Sequence, residues 1–255
     1  MDQYFSDKVA LITGGGSGIG RATALKFAAL GAKVVAADIN TASAEAAAEE
    51  IINQGGQAAA VTVDVADSAS VKAMVDFTVN QFGALHYAFN NAGIEGDGGS
   101  VIDCTEENWD RTIAIDLTGV FLCLKHEIPA MLDSGGGAIV NTSSVAGLAG
   151  TPGLPAYGAA KHGVVALTKG SAKEFAARGI RVNCVNPGVI ETPMVARLSD
   201  DMESTQESFK GIHPIGRLGQ PEEVAEAVAW LCSPQASFVT GVALPTDGGL
   251  LSSWI

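Results

Sequence analysis

Seven short runs of β-branched and apolar residues punctuate the chain. They lie at residues 8–13 (KVALIT), 33–38 (KVVAAD), 60–65 (AVTVDV), 86–90 (HYAFN), 138–142 (AIVNT), 180–185 (IRVNCV) and 237–244 (SFVTGVAL). Several are apolar almost throughout, as strands buried on both faces are, rather than alternating as a half-exposed strand does. Longer Ala-rich stretches with helical periodicity lie between them. Residues 18–30 place Ile19, Ala22, Leu25 and Ala29 near a 3.6-residue period, and residues 41–53 and 70–82 follow suit. One long helix is expected from about residue 105 to 132, and another from about 156 to 178, stopped by Gly179. Pro221-Glu222-Glu223 opens the last helix, with proline at its first position and acids in its first turn.

Strand–helix alternation repeated six times predicts an α/β chain: a doubly wound Rossmann fold with a seven-stranded parallel sheet and helices on both faces. No composition break, proline-rich linker or internal repeat divides residues 1–255, so one domain is expected. A polar excursion at residues 191–219, containing Pro193 and Pro214, is too long for a simple connection. It predicts a lid or substrate-binding region spanning about 189–219.

Composition narrows the function classes. Hydrophobic residues make up 47% of the chain, enough for a sizeable core. Lys and Arg total 15 against 28 Asp and Glu, a net charge of −13, which argues against nucleic acid and anionic membranes as partners. Cys104, Cys123, Cys184 and Cys232 show no zinc-finger spacing and read as free thiols in a reducing compartment. His86, His126, His162 and His213 show no metal-ligand spacing, so no metal is expected and these rings read as structural or surface groups. Met1 to Asp7 lacks the basic-then-apolar order of a signal peptide, and every apolar stretch stops short of a membrane span. The expectation is a soluble cytoplasmic protein.

The glycines carry the first chemistry. Thr13-Gly14-Gly15-Gly16-Ser17-Gly18-Ile19-Gly20 follows the first strand and opens the first helix. Backbone N–H groups there can approach a pyrophosphate at the positive end of a helix; the same residues also suit a plain tight turn. The spacing is Gly-x-x-x-Gly-x-Gly, and no Gly-Lys pair exists to make a nucleoside-triphosphate loop. Asp38 closes the second strand. Its carboxylate can accept the ribose hydroxyls of an adenosine and repel a 2′-phosphate, or it can simply cap the next helix. No Arg or Lys follows it at Ile39 or sits in the glycine turn, which favours NAD over NADP.

Tyr157 and Lys161 stand four apart in an expected helix and share a face. An ammonium beside a phenol favours phenolate, so the Tyr157 pKa is expected to fall toward neutrality, where the group serves as a general base for an alcohol proton. Tyr4 and Lys8 repeat the spacing without a helix, so the pair alone is not diagnostic. Ser144, at the end of a strand, adds a hydroxyl able to bond a substrate oxygen as it passes between alcohol and carbonyl.

In this order, the residues resemble the short-chain dehydrogenase/reductase family along essentially the whole chain. The resemblance rests on Thr13 to Gly20, Asp38, Asp64, Asn90-Asn91-Ala92-Gly93, Ser144 with Tyr157 and Lys161, Asn186-Pro187-Gly188 with Thr192, and Asp247-Gly248-Gly249. It implies a cofactor site of Gly14, Ser17, Gly18, Ile19 and Gly20 at the phosphates and Asp38 with Ile39 at the ribose. Asp64 and Val65 would flank the adenine, Asn91, Ala92 and Gly93 would line the cleft, Pro187 and Gly188 would join the cofactor site, and the backbone near Ile190, with Thr192, would hold the carboxamide. It implies Tyr157 as general acid/base, Lys161 on the nicotinamide ribose and Ser144 on the substrate oxygen. One position departs: Asp116 stands where the family usually has an Asn completing a catalytic tetrad. It reads either as a tetrad member or as a structural residue.

The expected activity is hydride transfer between NAD and a small, uncharged secondary alcohol or ketone, on pocket walls at residues 94–100, 145–156 and 189–213, which contain Leu148, Pro152, Leu154, Pro155, Met194 and Phe209. Glu95, Asp97 and Glu191 count against a strongly anionic substrate. The rivals are an NADPH-dependent 3-oxoacyl carrier-protein reductase and a non-enzymatic NAD(H)-binding regulator. The resemblance also implies a homo-oligomer, usually a tetramer. The apolar tail from Gly248 to Trp254-Ile255 is expected at a subunit interface.

Overall fold

The computed structural model describes residues 4–197 and 211–252. Among them, seven strands pair in parallel: β1 (Val9–Thr13), β2 (Lys33–Asp38), β3 (Gln57–Thr62), β4 (Tyr87–Asn90), β5 (Gly137–Thr142), β6 (Ile180–Pro187) and β7 (Ala243–Thr246). Their order is β3-β2-β1-β4-β5-β6-β7. Leu11 and Val35 face one helical layer and Ala10, Ile12 and Val34 the other, which is why these strands are apolar throughout. On one face lie α1 (Gly18–Ala29), α2 (Thr41–Asn53) and α8 (Pro221–Cys232); on the other lie α3 (Ser68–Phe82), α5 (Gly119–Asp133) and α6 (Pro155–Phe175). The strand order reverses between β1 and β4, so their carboxyl ends open a crevice there.

Several boundaries differ from the periodicity. β3 starts at Gln57 rather than 60 and ends at Thr62, which carries Val63 and Asp64 off the sheet end. α3 starts at Ser68, because the Asp67 carboxylate accepts the N–H groups of Ala69 and Ser70 as a cap. β7 is shorter than residues 237–244, and Phe238 before it is fully exposed.

The long middle helix is not continuous. α4 (Glu106–Ile113) passes through a π-helical turn, Ala114–Thr118, before α5. A π turn inserts one extra residue and re-aims the side chains within it. The polar excursion contains α7 (Pro193–Ala196), capped by the Thr192 hydroxyl; residues 198–210 of the expected substrate region, including Phe209, lie outside the described residues. So do Trp254 and Ile255. Among the described residues no helix is long and apolar enough to cross a membrane, and no group of three or more potential metal ligands exists.

Candidate active site

Gly14 takes φ +63°, a left-handed conformation that a side chain disfavours. The turn it begins brings the Gly16 N–H to Asp38 Oδ2 at 3.0 Å. Asp38 Oδ1 accepts the Asn40 N–H at 3.0 Å, so two backbone donors aim the carboxylate at the cleft. Ser17 caps α1 without a side-chain bond, and the first turn of α1 carries no acid, which leaves the positive helix end facing the cleft. Gly20 has another reason to be glycine. A Cβ there would sit 2.0 Å from the Gly14 carbonyl oxygen, so it packs α1 against the turn and does not line the cleft.

Thr13, at the end of β1, ties the next wall in place. Its hydroxyl accepts the N–H groups of Asn91 at 3.0 Å and Ala92 at 3.1 Å. Beyond β5, Ser144 lies two residues past the strand rather than at its end. The Asn186 amide holds the Ser144 carbonyl at 2.8 Å, while Ser144 Oγ accepts the Ala146 N–H at 3.1 Å and hydrogen-bonds with Tyr157. Tyr157 and Lys161 share one face of α6, with Lys161 Nζ 5.3 Å from the centre of the Tyr157 ring. His162 turns away and bonds the Gly158 carbonyl at 2.9 Å.

The π turn delivers Asp116 into this cluster. Its Oδ2 lies 3.0 Å from Lys161 Nζ, which also donates to the Thr142 carbonyl at 3.2 Å. Gly93 makes the room. A Cβ there would stand 3.3 Å from both Asp116 oxygens and 3.4 Å from Lys161 Nζ.

The electrostatics depart from the expectation for Tyr157. Burial raises its pKa, and the Asp116 and Glu95 carboxylates raise it further; the Lys161 ammonium and the Ser144 bond oppose them without prevailing. The phenol is therefore held above its ordinary value instead of falling toward neutrality. Burial alone would depress Lys161, but the Asp116 carboxylate and the Tyr157 oxygen hold its pKa above the usual value. Glu95 is also raised, by burial, with the Arg197 charge opposing.

These groups border one cleft of about 670 Å³. Gly14, Ser17, Gly18, Ile19, Asp38 and Ile39 line one end, with Asp64 and Val65 beside them. Asn91, Ala92 and Gly93 run along the middle, facing Pro187, Gly188, Ile190 and Thr192. Ser144, Tyr157, Lys161 and Asp116 meet at the other end. Of the expected pocket walls, Leu154 and Met194 reach the cleft; Leu148, Pro152 and Pro155 do not. Of the three acids, Glu95 does; Asp97 instead pairs with Arg111, and Glu191 accepts from Gln220 at 2.7 Å.

The expected wall segments take in Ile94, Thr151 and Arg197, and all three line the cleft; what the sequence does not show is the work of His213. Buried beneath Gly188, His213 accepts the Val189 N–H through Nε2 at 3.1 Å and so fixes the end of β6. Thr13 had a signal, its place before the glycines. His213 had none, because its partner is a backbone group on another segment.

A family model described as enoyl-(acyl carrier protein) reductase matches residues 14–251. The chain is 50% identical over 252 residues to cyclohexanol dehydrogenase of Acinetobacter sp. (strain SE19), covering 99% of this chain and 98% of that one. Its fold matches the crystal structure of levodione reductase with a TM-score of 0.94 at 40% identity, covering 98% and 100% of the two chains. It also matches the structure of 3-ketoacyl-(acyl-carrier-protein) reductase from Brucella melitensis complexed with NADH, with a TM-score of 0.89 at 40% identity, over 96% and 98%.

Proposed function

The chain belongs to the short-chain dehydrogenase/reductase family, oxidoreductases of alcohols and ketones, and on that premise we propose that it transfers a hydride between NAD(H) and a small, uncharged, cyclic secondary alcohol or ketone. One observation carries the reading. A single cleft has an uncapped helix N-terminus and the aimed Asp38 carboxylate at one end, and Ser144, Tyr157 and Lys161 at the other. That span suits a dinucleotide with its nicotinamide toward Tyr157. The left-handed Gly14 and the side-chain-free turn fit a close-lying pyrophosphate.

When bound, the nicotinamide supplies or accepts the hydride. The protein's residues handle the proton and the positioning. In oxidation, Tyr157 as phenolate takes the alcohol proton; in reduction, Tyr157 as phenol gives it back to the carbonyl oxygen. Ser144, held through its carbonyl by Asn186, bonds that oxygen in both directions. Lys161 would hold the nicotinamide ribose, and its charge opposes the upward pull of burial on Tyr157. Ile190 and Thr192 would hold the carboxamide edge; Thr192 is set by its own bond to the Ile190 carbonyl at 3.3 Å. Ile94, Leu154 and Met194 supply apolar walls for a ring, and the similarity to a cyclohexanol dehydrogenase supports a cyclic substrate. Free cysteines support a reducing, cytoplasmic setting.

A second reading, an NADPH-dependent 3-oxoacyl carrier-protein reductase, draws on Arg197 at the cleft and, for its substrate though not for its cofactor, on the likeness to the 3-ketoacyl-(acyl-carrier-protein) reductase that binds NADH. The Asp38 carboxylate, held by the Gly16 and Asn40 N–H groups and in no ion pair among the described residues, weighs against it. Initial rates with NAD and NADP on cyclohexanol near pH 9 test both. The expected result is an NAD-dependent rate that Tyr157→Phe lowers by about 10²-fold or more. A preference for NADP with 3-oxoacyl thioesters favours the second reading.

A further inference from the structure

Asp116 places a carboxylate directly beneath the ammonium that serves Tyr157. The Asp116 side chain is 0% exposed and that of Lys161 5%. Two contacts set the carboxylate: Lys161 Nζ at 3.0 Å from Oδ2, and the Ile94 N–H at 2.8 Å from Oδ1. A buried ion pair is weak evidence for stability, because desolvation of both charges offsets their attraction. It bears directly on local potential, since the burial of both groups weakens screening by solvent.

We propose that Asp116 is a charge-neutralising positioning residue: its carboxylate clamps Lys161 as an ammonium and cancels the positive charge that Lys161 would otherwise present to the Tyr157 hydroxyl. The proposal deepens the reading of Tyr157 as the acid–base group and rests on it.

The other groups facing the pair do not undo this. From α6 come Lys161 and Tyr157. From the segment after β4 comes Glu95, whose charge faces Arg197 at the end of α7. From the end of β5 come the Thr142 carbonyl and the Ser144 hydroxyl, which carry no net charge. One ammonium is therefore set against one contacting carboxylate, and Tyr157 sits beside a neutral pair. It works as a phenol, a proton donor, at neutral pH, which suits ketone reduction. It becomes the phenolate that alcohol oxidation needs in alkaline solution. Asp116 acts on the reaction through Lys161 and does not touch the reacting atoms.

The test reads Tyr157 without requiring turnover. The chain has three tyrosines, so a preparation labelled with 13C at tyrosine Cζ gives three signals, and Tyr157→Phe assigns the relevant one. The signal is titrated by NMR in wild type and in Asp116→Asn, which keeps the shape and an oxygen for the Ile94 N–H while removing the charge. The expected result is a Tyr157 midpoint lower in the variant by about one pH unit or more. The acid limb of kcat/KM for alcohol oxidation shifts down by the same amount. Asp116→Ala, which removes the charge without adding an amide, moves the midpoint the same way. A merely structural role lowers the rate at every pH and leaves the midpoint in place. An unmoved or raised midpoint overturns the proposal, whatever the turnover. A lowered midpoint in an enzyme that oxidises none of the alcohols upholds it and removes the substrate reading instead.

Discussion

Asp38 shows how one side chain is prepared before any ligand arrives. The Gly16 and Asn40 N–H groups each bond one of its oxygens, so its orientation is not lost to rotamer freedom, and each oxygen keeps a lone pair for a ribose hydroxyl. A neutral amide in place of this carboxylate would keep much of that geometry and lose the repulsion. Two unit charges 4 Å apart repel by about 1 kcal/mol in water and about 4 kcal/mol near a protein surface. Asp38→Asn is therefore expected to lower the NAD:NADP ratio of kcat/KM by about tenfold or more, read from initial rates with each cofactor. An unchanged ratio removes Asp38 as the selector. At this scale the sequence is legible where function follows a local period. Tyr157 and Lys161 share a helix face, and Asp38 ends a strand. It is illegible where function follows a meeting of distant segments. Asp116 against Lys161 brings a π turn beneath another helix, and His213 beneath Gly188 brings the excursion onto β6. No spacing announces either: Asp116 is named only through the family resemblance and His213 only as a structural or surface ring, and the upward pull on Tyr157 escapes for the same reason.

Elements are held to one another by a buried polar chain on the α5 side of the sheet. Asn90 at the end of β4 donates to Glu127 of α5 and to Asn141 of β5, both at 3.0 Å, and Asn141 donates to Thr168 of α6 at 3.0 Å. Glu127 is fully buried, and burial pushes its pKa to about 7, with the Asn90 bond opposing. Glu127 Oε1 and Asn90 Oδ1 have no hydrogen-bond partner among the described residues. A carboxyl whose folded pKa lies above its unfolded value of 4.5 binds more protons in the native state across that interval. Its contribution is fully present below pH 4.5 and is lost as pH rises through 7, by on the order of 3 kcal/mol at 1.36 kcal/mol per unit. Glu127→Gln, neutral throughout, is expected to flatten the fall in urea midpoint between pH 5 and pH 8; a slope equal to that of wild type rejects the assignment. The elements themselves were largely readable, because doubly buried strands and helices punctuated by Gly and Pro leave a clear period. Their exceptions have tertiary causes. The residues of Ala114–Thr118 are ordinary helix residues, and the π turn among them comes with the burial of Asp116. Residues 237–244 look like a strand, yet Phe238 points outward and only Ala243–Thr246 pairs with β6.

On the scale of the whole molecule, the surface carries more large aromatic area than a lone acidic chain needs. Trp109 of α4 is 41% exposed, Phe121 of α5 48%, Trp230 of α8 41%, and Phe238 is fully exposed. Single exposed apolar side chains are ordinary. Aromatics are enriched where interfaces form, and here they stand on helices of both faces of the sheet. The net charge of −13 pushes copies apart, but only over about 8 Å at physiological ionic strength, whereas apolar burial acts at contact. An interface of about 800 Å² per partner is enough for a stable assembly. We therefore expect a homo-oligomer, with a tetramer as the family-based expectation, using two different faces. Phe121→Glu and Trp230→Glu place a charge on α5 and on α8 in turn, so each is expected to reduce the mass in solution measured by light scattering, and the double variant to reduce it further. Because α5 packs behind the Asp116 turn and α8 behind the β6 strand end, loss of either contact is expected to reach the cleft as weaker cofactor binding. A wild-type monomer at micromolar concentration overturns the assembly, and single variants of unchanged mass overturn these faces as its seams.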